Sequence, residues 1–256
     1  MEAVREFTIS VVIPALNEQH HIFNTIQSTG LSSSHTRGPL EVIVVDGGST
    51  DSTIQTATKC GAKVLCSAKG RGIQLITGAS AAKGDVMLFL HADSKLPKGY
   101  IDSIQTELSQ PRHGRKRLVW GCFQNMAIQK FGWGMRVLEF CIALRTKWLS
   151  MPYGDQAIFV LASTYKELGG FKDWPLLEDY EMVMRLRRLT PPALVKDPIV
   201  VNGRRWQKLG IVATTLMNQF ILSAFHLGVP PKKLAEWYYK PTGVLGWLLR
   251  RLSKQD

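Results

Sequence analysis

Two rhythms of apolar and polar positions alternate along the first 110 residues. Residues 7–13 (FTISVVI) form a β-branched run stopped by Pro14, which predicts a buried strand. Residues 18–29 have helical spacing, and 31–39 read as a polar loop. Residues 41–45 predict a second strand and the turn Asp46-Gly47-Gly48-Ser49. Ser49 or Thr50 then caps a helix to Cys60. Residues 63–66 and 85–90 predict two more strands, with helices over 71–82 and 98–109. Strand and helix repeated four times imply βαβ units, a mainly parallel sheet, and helices on both faces.

Past residue 110 the rhythm changes. Residues 111–117 are a basic loop, and 119–128 read as a strand or a hairpin arm. Residues 132–149 have helical spacing, with Trp133, Val137, Phe140, Cys141 and Leu144 on one side. Residues 156–160 predict a strand, 163–168 a short helix and 177–189 a longer one. The longest stretch free of Lys, Arg, Asp and Glu is 209–231. Its polar residues, Thr214 and Asn218 among them, favour a packed helix over a membrane span. No internal repeat or long linker interrupts the chain.

At 256 residues and 45% apolar content the chain is long enough for a sizeable core without disulfides. Cys60, Cys66, Cys122 and Cys141 lack metal-site spacing and are expected as reduced, buried thiols. The first strand is read as beginning by Thr8, so no leader peptide is expected ahead of it. The net charge of +12 is uneven. Residues 1–110 carry 9 basic and 10 acidic side chains, 111–200 carry 14 and 8, and 201–256 carry 9 and 2. A basic second half suits an anionic partner: a phosphorylated substrate, an acidic membrane surface or nucleic acid.

Ligands of open α/β sheets bind at the carboxyl ends of the strands, where strand order reverses. That edge receives Glu18, Asp46, Asp51, Arg71, His91 and Asp93. Asp46 and Ser49 also suit a plain turn, and Asp51 a helix start. His91-Ala92-Asp93 could hold a metal through one hard oxygen and an optional imidazole. Later come Asp155 and Gln156 before a strand, Glu178 and Asp179 opening a helix, and Arg204-Arg205-Trp206. The last could fork a phosphate or form a solvated basic loop.

In these pieces the chain resembles a family 2 glycosyltransferase with the GT-A fold. They are 12–18 (VIPALNE), 44–51 (VVDGGSTD), 70–82, 88–93 (LFLHAD), 153–156 (YGDQ) and 177–179 (LED). Arg204-Arg205-Trp206, Thr215, Asn218, Gln219 and 227–231 are similar to the branch called selenodomain-associated transferase 2. The resemblance implies a Rossmann-like sheet over residues 1–200 and a basic helical extension over 201–256, packed on the same domain. It also implies transfer of a sugar from a nucleotide donor, UDP- or GDP-linked, to a hydroxyl with inversion. Pro14, Ala15, Glu18, Asp46, Gly48, Ser49 and Arg71 would line the nucleotide pocket, and Arg204 and Arg205 would close over the diphosphate. Asp93 would hold Mg²⁺ or Mn²⁺, with His91 a further ligand or a phosphate partner. Asp179 would be the general base and Glu178 its reserve, while Asp155, Gln156 and Trp206 would contact acceptor or sugar. The sequence departs from the usual Asp-x-Asp at His91 and from Asp-Asp-Gly-Ser at Gly47, so uridine is an expectation of the family only.

A nucleotidyltransferase making the nucleotide-sugar is the rival enzyme. It is disfavoured because Ala15-Leu16-Asn17-Glu18 stands where a Gly-rich loop with a basic residue is expected. Nucleic-acid binding is disfavoured because aromatics do not interleave the basic runs. The stretch 243–252 (GVLGWLLRRL) reads either as a C-terminal helix packed on its own domain or as a segment lying on an anionic bilayer surface, and the latter fits a peripheral protein on the inner membrane face with a lipid-like or carotenoid acceptor.

Overall fold

A computed structural model describes residues 6–31, 38–109, 117–129 and 132–240. The tail at 243–252 and most of the basic loop at 111–117 lie outside the described residues. The main sheet has seven strands in the order β3-β2-β1-β4-β7-β5-β8. β1 is Ile9–Ala15, β2 Glu41–Asp46, β3 Lys63–Cys66, β4 Val86–Phe89, β5 Trp120–Phe123, β7 Phe159–Leu161 and β8 Ala193–Val195. The first four are mutually parallel, as expected. β7 runs antiparallel to both β4 and β5, while β8 is parallel to β5.

The stretch 119–128 is not a hairpin. It splits into β5 and β6 (Met126–Ile128), and β6 joins β9 (Ile199–Val201) in a separate two-stranded sheet. Pro14 does not end β1, which continues to Ala15. Val12 O accepts from Leu90 N, so position 14 faces the same side, beyond the last β1–β4 pair at Val12. The N–H that proline lacks therefore falls where β4 has already diverged.

Alternation sends Val11, Ile13, Val42 and Val44 to one face of the sheet, and Val12, Ile43, Val45 and Met87 to the other. α1 (Ile22–Ser28), α4 (Tyr100–Ser109) and α5 (Trp133–Leu149) contribute to the first core. α3 (Arg71–Ala81) and α7 (Glu178–Leu189) contribute to the second. At Gly78 a Cβ would stand 2.3 Å from Val12 Cγ1, so glycine lets α3 lie directly on β1 and β2.

Several boundaries differ from those read in sequence. α1 starts at Ile22 because Glu18 and Gln19 are engaged by the next loop. α2 (Thr53–Lys59) starts at Thr53, whose N–H and hydroxyl both donate to Asp51 Oδ1, so neither Ser49 nor Thr50 caps it. α6 is Ala162–Glu167. Three helices follow β9: α8 (Arg204–Leu209), α9 (Ile211–His226) and α10 (Pro231–Tyr239). Met217 and Ile221 of α9 and Leu234 of α10 form a third core with Leu176. No described helix is long and apolar enough to cross a membrane.

One sequence expectation fails on exposure. Cys60 and Cys122 are buried free thiols, but Cys66 and Cys141 are exposed. On α5 the apolar side formed by Val137, Phe140, Cys141 and Leu144 points outward, because Met135, Leu138 and Ile142 supply the inward one.

Candidate active site

The strand order reverses between β1 and β4, and the loops leaving these strands meet there. Asn17 sits in the left-handed region (φ 53°). Its N–H donates to Ser49 Oγ at 2.8 Å, and its Oδ1 accepts from Thr50 N at 2.9 Å. Glu18 N donates to Thr53 Oγ1 at 2.8 Å. Asp46 Oδ2 accepts from Gly48 N and Ser49 N, both at 2.8 Å, while its buried Oδ1 has no partner. Gln74 Nε2 donates to Ala15 O and Val45 O at 2.8 Å, clamping the ends of β1 and β2. A side chain at position 47 would press this amide, at 3.1 Å.

A cavity of about 240 Å³ opens beside this edge. One wall is charged: Arg71, His91, Asp93, Asp155, Glu178 and Asp179. The other is largely apolar, with Leu176, Ile221, Leu222, Trp206 and Tyr238, and Arg205 lies over the Tyr238 ring at 3.6 Å. Pro14 borders a smaller pocket shared with Arg71, His91 and Asp179.

Asp179 stands in the first turn of α7. Its Oδ2 accepts from Gly154 N at 2.6 Å and its Oδ1 from Tyr180 N at 2.8 Å. Each oxygen keeps lone-pair capacity for a further proton donor. A Cβ on Gly154 would meet Asp179 Oδ2 at 2.8 Å and His91 Nε2 at 3.2 Å, so only glycine lets this turn come so close.

Glu178 is 1% exposed. Burial pushes its carboxyl up to about 7, against the opposing pull of Arg71, whose Nε lies 3.4 Å away. Burial likewise raises Asp155 to about 6, with Arg145 opposing, and its Oδ1 is without a partner. His91 is driven down to about 3 by burial, then by Arg71 and Arg204, so the imidazole is neutral near pH 7. Arg71 is held firmly charged, chiefly by Glu178.

Arg204 Nη2 bonds Glu18 Oε1 and stands 3.0 Å from Asp93 Oδ2. Glu18 thus reaches the site's charge network through a guanidinium and is not itself a cavity wall. Ala15, Asp46, Gly48 and Ser49 form the turns behind the edge. Gln156 is fully buried: its Nε2 donates to Phe123 O at 3.0 Å and Thr146 Oγ1 at 2.9 Å, and its Oε1 accepts from Arg145 Nη2 at 3.0 Å. It therefore braces the turn at 153–155 and faces no ligand space. The remaining sequence candidates, Arg71, His91, Asp93, Asp155, Glu178, Asp179, Arg205 and Trp206, do converge on the cavity.

Residues 10–131 match the model described as Glycosyl transferase family 2. That segment, just under half of the chain, is similar to a family 2 glycosyltransferase domain. Glucosyl-3-phosphoglycerate synthase of Mycobacterium tuberculosis (strain H37Rv) is 38% identical over 96 residues, 34% of this chain and 29% of that protein. Undecaprenyl-phosphate 4-deoxy-4-formamido-L-arabinose transferase of Pseudomonas fluorescens is 27% identical over 107 residues, 39% of this chain and 32% of that one. These matches span about a third or less of the curated relatives' length.

Among solved structures, the M. tuberculosis synthase in complex with Mn²⁺, uridine diphosphate and glucosyl-3-phosphoglycerate has a TM-score of 0.54. It is 23% identical and covers 76% of this chain and 71% of its own. The mannosyltransferase PcManGT of Pyrobaculum calidifontis, in complex with GDP-Man and Mn²⁺, has a TM-score of 0.57. It is 16% identical and covers 98% and 74%. These neighbours share the mixed GT-A sheet.

The matched family 2 segment contains Glu18, Asp46, Arg71, His91 and Asp93. Asp155, Glu178, Asp179 and the arginines of α8 come from beyond it. Sequence reading missed Arg145, which stacks on Tyr153 at 3.7 Å, and Tyr238. It also passed over Thr214 and Asn218 as site residues. These last two lie four apart on an uncharged helix, a spacing that marks one polar stripe facing the cavity.

Proposed function

We propose that this chain is an inverting glycosyltransferase that moves a sugar from a UDP- or GDP-linked donor to a hydroxyl. The observation behind this reading is the gathering of two carboxylates, Asp93 and Asp179, with Arg71 and Arg205 around one cavity at the reversal of strand order. Asp179 takes the acceptor's proton as its oxygen attacks the anomeric carbon. The bond to the diphosphate breaks on the opposite face, and one in-line displacement inverts the centre. Arg71, Arg205 and Arg204 face the charge that develops on the departing diphosphate. Asp155 orients acceptor or sugar, Gln156 holds its turn in place, and Glu178 keeps Arg71 aimed. Glu18, the Asp46–Ser49 turn, Pro14 and Ala15 form the nucleoside side.

Among the described residues no three or more His, Cys, Asp or Glu side chains form a ready metal cage. One carboxylate, Asp93, with the neutral imidazole of His91, would instead hold a Mg²⁺ or Mn²⁺ ion. Such an ion neutralises leaving-group charge when bound. The glycosyltransferase neighbours in complex with Mn²⁺ and a nucleotide support use of such an ion.

Leu176, Ile221 and Leu222 face the same cavity, which supports an acceptor whose hydroxyl sits on an apolar, lipid-like or carotenoid body. Attachment to an anionic bilayer has a second basis besides the segment at 243–252. The outward side of α5 presents Phe140, Leu144 and Trp148 with Arg136 and Lys147, and its sole acid, Glu139, turns inward to accept from Ile128 N at 2.7 Å. Helices α8–α10 act as the extension that completes the acceptor wall.

Turnover with a panel of nucleotide-sugars tests the assignment. Asp179→Asn is expected to lower kcat by roughly 10²–10⁴ with little change in donor KM. Asp93→Ala is expected to abolish the metal requirement together with activity. Full turnover in both variants overturns the site. An α-linked product from an α-linked donor, seen by NMR, overturns inversion.

A further inference from the structure

Arg204 is placed where two ligands would have to displace it. Its side chain is half exposed at the start of α8, and its backbone N–H is fixed by Asn202 Oδ1 at 3.0 Å. The guanidinium reaches back across the strand-order reversal to the loop after β1, at Glu18 Oε1, and to the loop after β4, at Asp93 Oδ2. Both carboxylates are mostly shielded, with side chains 13% and 16% exposed, and Glu18 Oε2 is buried without a partner. One fixed positive charge therefore neutralises two acids, each belonging to a different half of the proposed donor site. A divalent cation on Asp93 and a guanidinium on the same carboxylate compete for one negative charge.

We propose that Arg204 is an internal cation that holds Asp93 closed to metal until the nucleotide arrives, so that metal and nucleotide bind cooperatively through it. Nucleotide contact with Glu18, or a phosphate drawing the fork away, frees Asp93. Metal on Asp93 in turn frees Glu18. Each ligand removes part of the cost that the other would meet, and linkage makes the coupling equal in both directions. The released guanidinium stays beside the diphosphate, where its planar fork matches phosphate oxygens. The proposal rests on Asp93 being the metal carboxylate, and the experiment separates the two.

Mn²⁺ binding is measured by the loss of the free-ion electron paramagnetic resonance signal, with and without uridine diphosphate. The proteins are wild type, Arg204→Gln, Arg204→Lys and Arg188→Gln. The last removes one exposed positive charge on α7, away from the site, and controls for net charge. Arg204→Gln is expected to bind Mn²⁺ alone about ten-fold tighter than wild type, within the roughly 5–150-fold range of coupled sites. Its gain from uridine diphosphate is expected to shrink by the same factor. Arg204→Lys, a point charge without the fork, is expected between the two, and Arg188→Gln is expected to match wild type.

Mn²⁺ affinity in Arg204→Gln equal to or weaker than wild type overturns the proposal. If Asp93→Ala still abolishes Mn²⁺ binding in that case, the metal assignment stands without Arg204's role. If Asp93→Ala leaves Mn²⁺ binding intact, both fall. Circular dichroism melts that overlay for the Arg204 variants exclude a folding defect.

Discussion

Burial leaves Glu178 with a proton that a solvated glutamate would release. Its carboxyl is raised to about 7 in the fold against 4.5 outside it, and Asp155 to about 6 against 3.8, in both cases chiefly by burial. Between the lower and upper values these two carboxyls hold protons in the fold that the unfolded chain has released, so their share of stability falls as pH rises through that window, while the depressed His91 contributes with the opposite sign. The Tm is therefore expected to drop between pH 5 and 7.5 beyond what Glu178→Gln shows, because that variant carries no titrating group at 178. Parallel slopes for the two proteins in a scanning calorimeter would contradict this. At this scale the sequence was legible where a chemical type followed a strand directly, as at His91 and Asp93. It was illegible where the partner came from another element: Arg145 of α5 meets Tyr153 and Gln156 only in the folded chain.

Elements set what those residues can do. Gly78 lets α3 rest on β1 and β2, which brings Arg71 at its first turn to the cavity mouth. Gly78→Ala is expected to force a shift costing ~1–3 kcal/mol, as overpacked cores do. In a chain of this size that lowers Tm by about 2–12 °C. An unchanged melt would show that α3 has slack the packing does not reveal. The four parallel strands were readable from β-branched runs between helices. The antiparallel β7 was not, because a three-residue strand carries no mark of direction. Positions of β8 and β9 were equally hidden, since short strands in 193–201 are bounded by Pro and Lys with no longer period. α8–α10 read as apolar or basic segments, and only docking turned them into a cavity wall.

At the scale of the whole molecule, charge and shape point outward as well as inward. The net charge of +12 and the apolar outer side of α5 suit a negatively charged bilayer. Phe140→Glu with Trp148→Glu is expected to cut co-sedimentation with phosphatidylglycerol vesicles several-fold and leave the Tm nearly unchanged, because both side chains are exposed. If the pair instead splits a dimer in sedimentation velocity while vesicle binding persists, that side joins two copies. Gln156 gives this outer helix a mechanical consequence. One amide ties α5, through Thr146 and Arg145, to the turn that carries Asp155, so a load on α5 has a one-residue linkage to the turn proposed to orient acceptor or sugar. Whatever the helix leans against can thereby set the tempo inside, with the sheet standing still.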